Sequence, residues 1–316
     1  MDPNLLFWKS EGQTLFRRLQ IWFDVLDPTF LFSSDAEIQK AHSRLGSGEK
    51  LNEKDGQALT YLSLSSVHAD SGAVLPVIFR PPALFTISAP LMIASLLPHK
   101  AVSHAMFWQF FGQTYSAGFN YANRNSSSEK QGQQTSLKQL LLMAGTVSYA
   151  TCAGALPQFL INRLGVTSAQ GLAFFRSVLP FPISAALAFF NVFTVRSLES
   201  QTGIQVFDSN GNPVGLSKAA GEKAVRDTAM SRATLFGTAT AVPNILMLFL
   251  QSTKLFQRNP LLASPLRYFS GVVCFGLMIP MSFSLFPQLG TIEKENVEKE
   301  LQAAVDGSEL YYHRGL

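Results

Sequence analysis

From residue 107 the sequence runs FWQFFGQTYSAGFNYANR, and its amides and one hydroxyl recur at a helical period. Gln109, Gln113, Ser116 and Asn120 are spaced by four, three and four residues. At about 100° per residue they share one face, with Asn123 at its edge and Arg124 just beyond. Such side chains work by hydrogen bonds. They would line a path for a small polar or zwitterionic solute, or join neighbouring helices through pairs worth about 0.6 kcal/mol each. No Asp, Glu, Lys or Arg lies between Ala101 and Asn123, so this face alone leaves a strongly charged solute uncompensated. Arg124 would anchor the helix at the membrane surface or meet a solute carboxylate, and the anchor is the simpler role.

A second cluster, His68, Asp70, Ser71, Gly72 and Arg80, lies just before the first long apolar stretch. His68 and Asp70 are ligand types, but two ligands do not make a metal site. The expectation is a polar clasp at the membrane entry, with Asp70-Ser71-Gly72 as a turn and no metal. Cys152 and Cys274 both lie in apolar runs and are too few for a disulfide framework or an iron–sulfur centre. No P-loop, dinucleotide fingerprint, nucleophile motif or carboxylate pair is present. The motifs point away from an enzyme and imply no cofactor.

The elements that must hold these residues are apolar. Of 316 residues, 47% are hydrophobic and 15% charged, well below the usual quarter. The net charge of +4 comes without the basic clusters of a nucleic-acid binder. Stretches free of Asp, Glu, Lys and Arg run 81–99, 101–123, 139–162, 177–195, 233–253 and 268–292. Each approaches the roughly 20 residues a spanning helix needs. Prolines interrupt the first most heavily, so five or six spans are expected. Taking six, the connecting segments on the N-terminal side hold 19 Lys and Arg against 6 opposite, the asymmetry of a positive-inside protein.

The expected fold is therefore an all-α membrane bundle of five or six transmembrane helices. Residues 1–80 read as a soluble or amphipathic helical segment, 81–292 as the membrane domain and 293–316 as a tail. Leu15, Leu19, Trp22, Phe23 and Leu26 recur at helical spacing, with Arg17 and Arg18 pointing elsewhere. Ser34 or Asp35 should cap a short helix that stops at Gly46. Within loop 196–232, alternation at Ile204 and Val206 and the Asn210-Gly211 turn signal a hairpin. Ser217 then caps a solvated helix ending near Arg232. The N-terminus has no apolar leader core, so no cleaved presequence is expected.

These residues also carry a resemblance. His68-Ala69-Asp70-Ser71-Gly72-Ala73 resembles the His-Pro-Asp-Thr-Gly-Glu signature of the sideroflexins, and the 107–124 segment resembles their Asn-rich membrane helix. The LDP at 26–28, the hairpin loop, SLFPQLG at 284–290 and the closing YYHRGL have counterparts in the same order. The resemblance covers essentially the whole chain. It implies a multi-pass protein of the mitochondrial inner membrane, contacting lipid and no nucleic acid. The resemblance also implies a carrier of serine and other small neutral amino acids, and an association with iron homeostasis. Here the signature lacks its Pro and Glu, and Gly112 and Ser116 stand where the family usually has Asn. The chain is most like a divergent vertebrate branch associated with respiratory complex I assembly. The resemblance thus implies complex I intermediates as partners, with amino-acid transport as the alternative.

Overall fold

The computed structural model describes residues 1–47, 52–97, 99–126, 137–251, 253, 263–303 and 307–316. Four helices precede the bundle: α1 (Pro3–Glu11), α2 (Leu15–Val25), α3 (Asp35–Gly46) and α4 (Glu53–Ser66). The cap of α3 is a full capping box, Ser34 and Glu37 each accepting from the other's backbone N–H. The face that α2 buries differs from the apolar stripe read in the sequence. Ile21, Trp22 and Val25 go inward, whereas Leu15, Phe16 and Phe23 are exposed. Arg18 is buried too, because its guanidinium reaches the backbone oxygens of Ser284, Gly12 and Gln13 at 2.9–3.2 Å. Burying three such apolar side chains stabilises by about 1.5–3 kcal/mol each. The Trp22 ring meets Phe283 edge-on at 4.9 Å.

The bundle comprises α5 (Ala83–Leu96), α6 (Val102–Ala122), α7 (Leu137–Gly154), α8 (Leu156–Leu164), α9 (Ala169–Ala173), α10 (Pro180–Val195), α12 (Lys218–Gln251) and α13 (Ala263–Ser284), with a short α11 (Ser197–Thr202) after α10. A π-turn at Phe174–Val178 joins α9 to α10. It sits where Pro180 removes a backbone donor, and Leu179 N bonds five residues back to Phe174 O. α12 packs chiefly on α10 and α13, and α6 packs on α5, α7 and α10.

By length and composition, fewer helices qualify as spans than the five or six expected. Among the described residues, two rods are long and apolar enough to cross a bilayer, Ala169–Val195 and Pro265–Ser284. A third is added if α7 and α8, bent by 41°, act as one. Two other charge-free stretches fall short for physical reasons. α5 has only 14 residues, about 21 Å of rise. α6 carries the amide stripe. The stretch 233–253 covers the second half of α12, continuous with a first half that carries Lys218, Glu222, Lys223, Arg226 and Asp227.

All-α is also corrected. A four-stranded antiparallel sheet has the order β2-β1-β4-β3, from β1 (Ile204–Phe207), β2 (Pro213–Ser217), β3 (Leu289–Glu293) and β4 (Glu309–His313). The hairpin was readable, its turn fixed by Asp208 accepting from Asn210 N and Asn212 N. The other two strands come from the end of the expected last span and from the tail. α13 stops at Ser284, before Pro287, and the chain re-enters as a strand. The helix capped by Ser217 does not end near Arg232 either. It runs 34 residues into the bundle.

Residues 1–80 are not a separate body, since Leu5, Trp8 and Trp22 share one core with Leu235, Phe275, Phe283 and Leu316.

Candidate solute-binding cavity

One side of α6 faces a cavity of about 330 Å³, in the range of small-ligand sites. Gln109, Gln113, Ser116 and Asn120 all line it, so the stripe is an inward face as the spacing required. Ser88 and Ser95 on α5, Ser184 on α10 and Thr240 on α12 add hydroxyls. Gln109 fits into the gap left by Gly154, where a Cβ would collide with its side-chain oxygen. Gly112 also lines the cavity, and nothing lies within 4 Å of where its Cβ would be. An amide there would project into the open volume, so Gly112 makes the cavity wider and less polar.

Part of the stripe is also a helix seam. Asn120 Nδ2 donates to Asn191 Oδ1 at 2.9 Å, and Asn191 Nδ2 donates to Gln113 Oε1 at 3.4 Å. The two readings of the stripe, seam and lining, therefore coexist on one helix. Asn191 is fully buried on α10, the lone amide of an otherwise apolar run, and that isolation was the signal available for it.

The cavity has a blind end and a mouth. Asn120, Phe119 and Arg232 are 1–3% exposed, whereas Arg176 at the other end is exposed. Arg232 and Arg267 are cationic linings that the sequence reading missed, since each borders an apolar stretch and reads as a flank. Arg176 also lies on such a boundary. None of the described residues lining the cavity is Asp or Glu. Arg232 lies over the rings of Phe283 at 4.4 Å and Phe119 at 5.5 Å. Its Nη2 has no hydrogen-bond partner among the described residues.

Asn123 and Arg124 are not part of the lining. Asn123 caps α6, and its Nδ2 donates to Phe79 O and Phe119 O at 2.9 Å. Arg124 is buried and stacks on Tyr121 at 3.5 Å. The second cluster splits. His68 Nε2 donates to Arg124 O at 2.6 Å, while His68 Nδ1 accepts from Ser71 N at 3.2 Å. Asp70 accepts from Ser126 N at 2.7 Å, and Gly72 closes the turn at φ 70°. His68 and Asp70 thus clasp the residues just after α6. Arg80 does not join them. It turns to Asp35 at 2.8 Å and to the backbone of Leu75 and Ser33. Ala73 is exposed, so the missing signature carboxylate belonged to this turn and not to the cavity.

Next to the clasp is a buried polar hub that the sequence did not announce. Arg196 Nη2 donates to Glu199 Oε2 at 2.7 Å and to Arg314 O at 2.6 Å, and Nη1 donates to Thr228 at 3.0 Å. Asn125 Nδ2 donates to Glu199 and to His313 O. His313 Nδ1 donates to Asn125 Oδ1 at 3.1 Å, and its Nε2 accepts from Gln288. The closing Arg314-Gly315-Leu316 is threaded into the interior, with Gly315 at φ 75° and Leu316 N bonded to Asn123 O. Burial holds His68 below the ordinary histidine range, and it pushes His313 down to about 3, with neighbouring His68 adding to the effect. Both imidazoles are neutral.

Fold and cavity together define a class: a helical membrane protein whose bundle walls a polar, cationic pocket. The comparisons give the family. Residues 6–316 match the family model for sideroflexins, and the chain belongs to that family. It is 51% identical to Sideroflexin-4 of Danio rerio and 39% identical to Sideroflexin-4 of Bos taurus, in each case over the full length of both chains. Sideroflexin-5 of Homo sapiens is 31% identical over 98% of this chain and 91% of its own. No solved structure matches.

Proposed function

We propose that this sideroflexin is a multi-pass protein of the mitochondrial inner membrane that acts, without catalysis, in the assembly of respiratory complex I. Its spans are the α7–α8 pair, α9–α10, the second half of α12, α13 and α6, with α5 as a sixth where its 14 residues reach across. Exposed Phe107, Phe110, Phe111, Phe193, Phe249 and Phe269 face lipid in this reading. The observation that carries the assembly role is Gly112. Where carriers of the family place an amide, this chain leaves open cavity, alongside the full-length likeness to sideroflexin-4 proteins. Cells lacking the protein should lose mature complex I on native gels and regain it on re-expression. A full complement in the knockout overturns the reading.

The cavity itself favours a second reading, a carrier or sensor of a small neutral amino acid. Gln109, Gln113, Ser116 and Asn120 supply the hydrogen bonds. Labelled serine uptake should return to knockout mitochondria that re-express the chain. No return, beside restoration by another sideroflexin, removes this reading. A part in iron homeostasis rests on family resemblance, since His68 and His313 spend both ring nitrogens on hydrogen bonds.

A further inference from the structure

We propose that Arg232 is the carboxylate-binding residue of the cavity, and that the occupant is a small organic acid carrying a hydrogen-bond donor beside its carboxylate. This rests on the cavity being a solute site and names the chemistry that site selects.

Arg232 is 3% exposed and lines the blind end. A guanidinium is always charged, and burying it without a counter-charge is strongly disfavoured. Among the described residues, its surroundings supply none. The rings of Phe283 and Phe119 contact its cation, and Nη2 has no partner. The nearest fixed charges are Arg196 and Arg314, of the same sign. The buried Glu199 is already engaged by Arg196 and Asn125. Arg232 lines a cavity of about 330 Å³, and its planar fork with an unpaired N–H fits a carboxylate held at that end.

A second atom at the same end narrows the ligand. Asn120 Oδ1 is buried and has no donor among the described residues. Its own Nδ2 is engaged by Asn191, which fixes the amide with the oxygen free to accept. The blind end therefore offers an unpaired cationic donor and an unpaired neutral acceptor. An α-hydroxy or α-amino acid satisfies both at once, carboxylate on Arg232 and hydroxyl or ammonium on Asn120. Among the described lining residues there is no Asp or Glu to balance an ammonium, while Arg176 and Arg267 add positive charge near the mouth. Charge thus ranks the two donors. A hydroxy acid binds at least as tightly as the amino acid of the same skeleton, and an amine without a carboxylate does not bind.

The test uses the full chain in lipid nanodiscs and labelled L-serine, competed with L-glycerate, its hydroxy counterpart, and with ethanolamine, which lacks the carboxylate. Glycerate should compete at least as well as serine itself, and ethanolamine should not compete. Arg232→Gln should weaken serine and glycerate binding by about tenfold or more. Its unfolding midpoint should stay at or above that of the unchanged chain, because an unpaired buried charge has gone. Arg232→Lys should retain part of the binding. Competition by ethanolamine equal to serine, or Arg232→Gln binding within about twofold of the original, overturns the proposal and leaves the cavity reading standing. An Arg232→Gln chain that no longer folds also overturns it, since the guanidinium is then structural. Absence of saturable binding by both acids overturns the cavity reading and this inference together.

Discussion

Arg196 and Arg232 are both buried and stand on neighbouring helical segments, yet they are treated oppositely. Arg196 is held by Glu199 on two oxygens, by Thr228 and by a backbone carbonyl. Arg232 has aromatic faces beneath it, an unpartnered Nη2 and a cavity in front. One guanidinium is a structural rivet, closed on all sides by its own chain. The other is left incomplete where an external group can reach it. The contrast shows where this fold invests in stability and where it leaves a site open. The hub knits α10, α11, α12 and the C-terminal strand together, and the cavity interrupts the bundle above it.

Breaking the rivet should have the largest effect. Glu199→Gln leaves Arg196 buried without its counter-charge, a change that costs about 3–5 kcal/mol. Thermal unfolding in detergent should show a large fall in midpoint, or loss of folded protein. Next comes His313→Ala, which strips partners from Asn125 and Gln288 inside the hub. A buried polar group left unpaired costs about 1–3 kcal/mol, again readable as a shift in unfolding midpoint.

The same histidines make the hub sensitive to acid. Both are neutral in the folded chain and sit below the ordinary value, whereas the unfolded chain takes up protons near pH 6.5. Below that pH the unfolded state binds more protons than the native one. Stability is therefore full above about pH 6.5 and declines steadily as pH falls below it. Midpoints measured from pH 7.5 to 5 should slope downward on the acid side, and His313→Gln should flatten the slope. The smallest effect is expected at the seam. Asn191→Leu removes the bonds to Asn120 and Gln113 and should cost about 0.6 kcal/mol per lost pair. It should also alter solute binding, because it releases the Asn120 amide.

What was legible in the sequence follows the same division. The stripe on α6, a cap at Ser34 or Asp35, the hairpin turn and the Ser217 cap were readable because their causes are local in the chain. The 3.6 period, a cap three residues from its partner and an Asn-Gly turn are of that kind. The hub was not readable, since Asn125 meets His313 across 188 residues of sequence and Arg18 meets Ser284 across 266. Charge-free stretches number more than the helices that qualify as spans by length and apolarity, for a physical reason. Freedom from charge is not the same as apolarity, and α6 is free of charge while lined with amides. Arg232 escaped notice because a cation at the edge of an apolar stretch ordinarily faces water, and only the continuation of α12 through that edge turns it inward.

The contrast between the two arginines reduces to a single paired measurement. Arg196→Met and Arg232→Met, each in the full chain under identical conditions, should be compared by unfolding midpoint. The account predicts a clear loss for Arg196→Met, where Glu199 is left buried without a counter-charge, and no loss or a gain for Arg232→Met, where an uncompensated charge is removed. Equal losses in the two variants would contradict it, because Arg232 would then be a second rivet and not an open site.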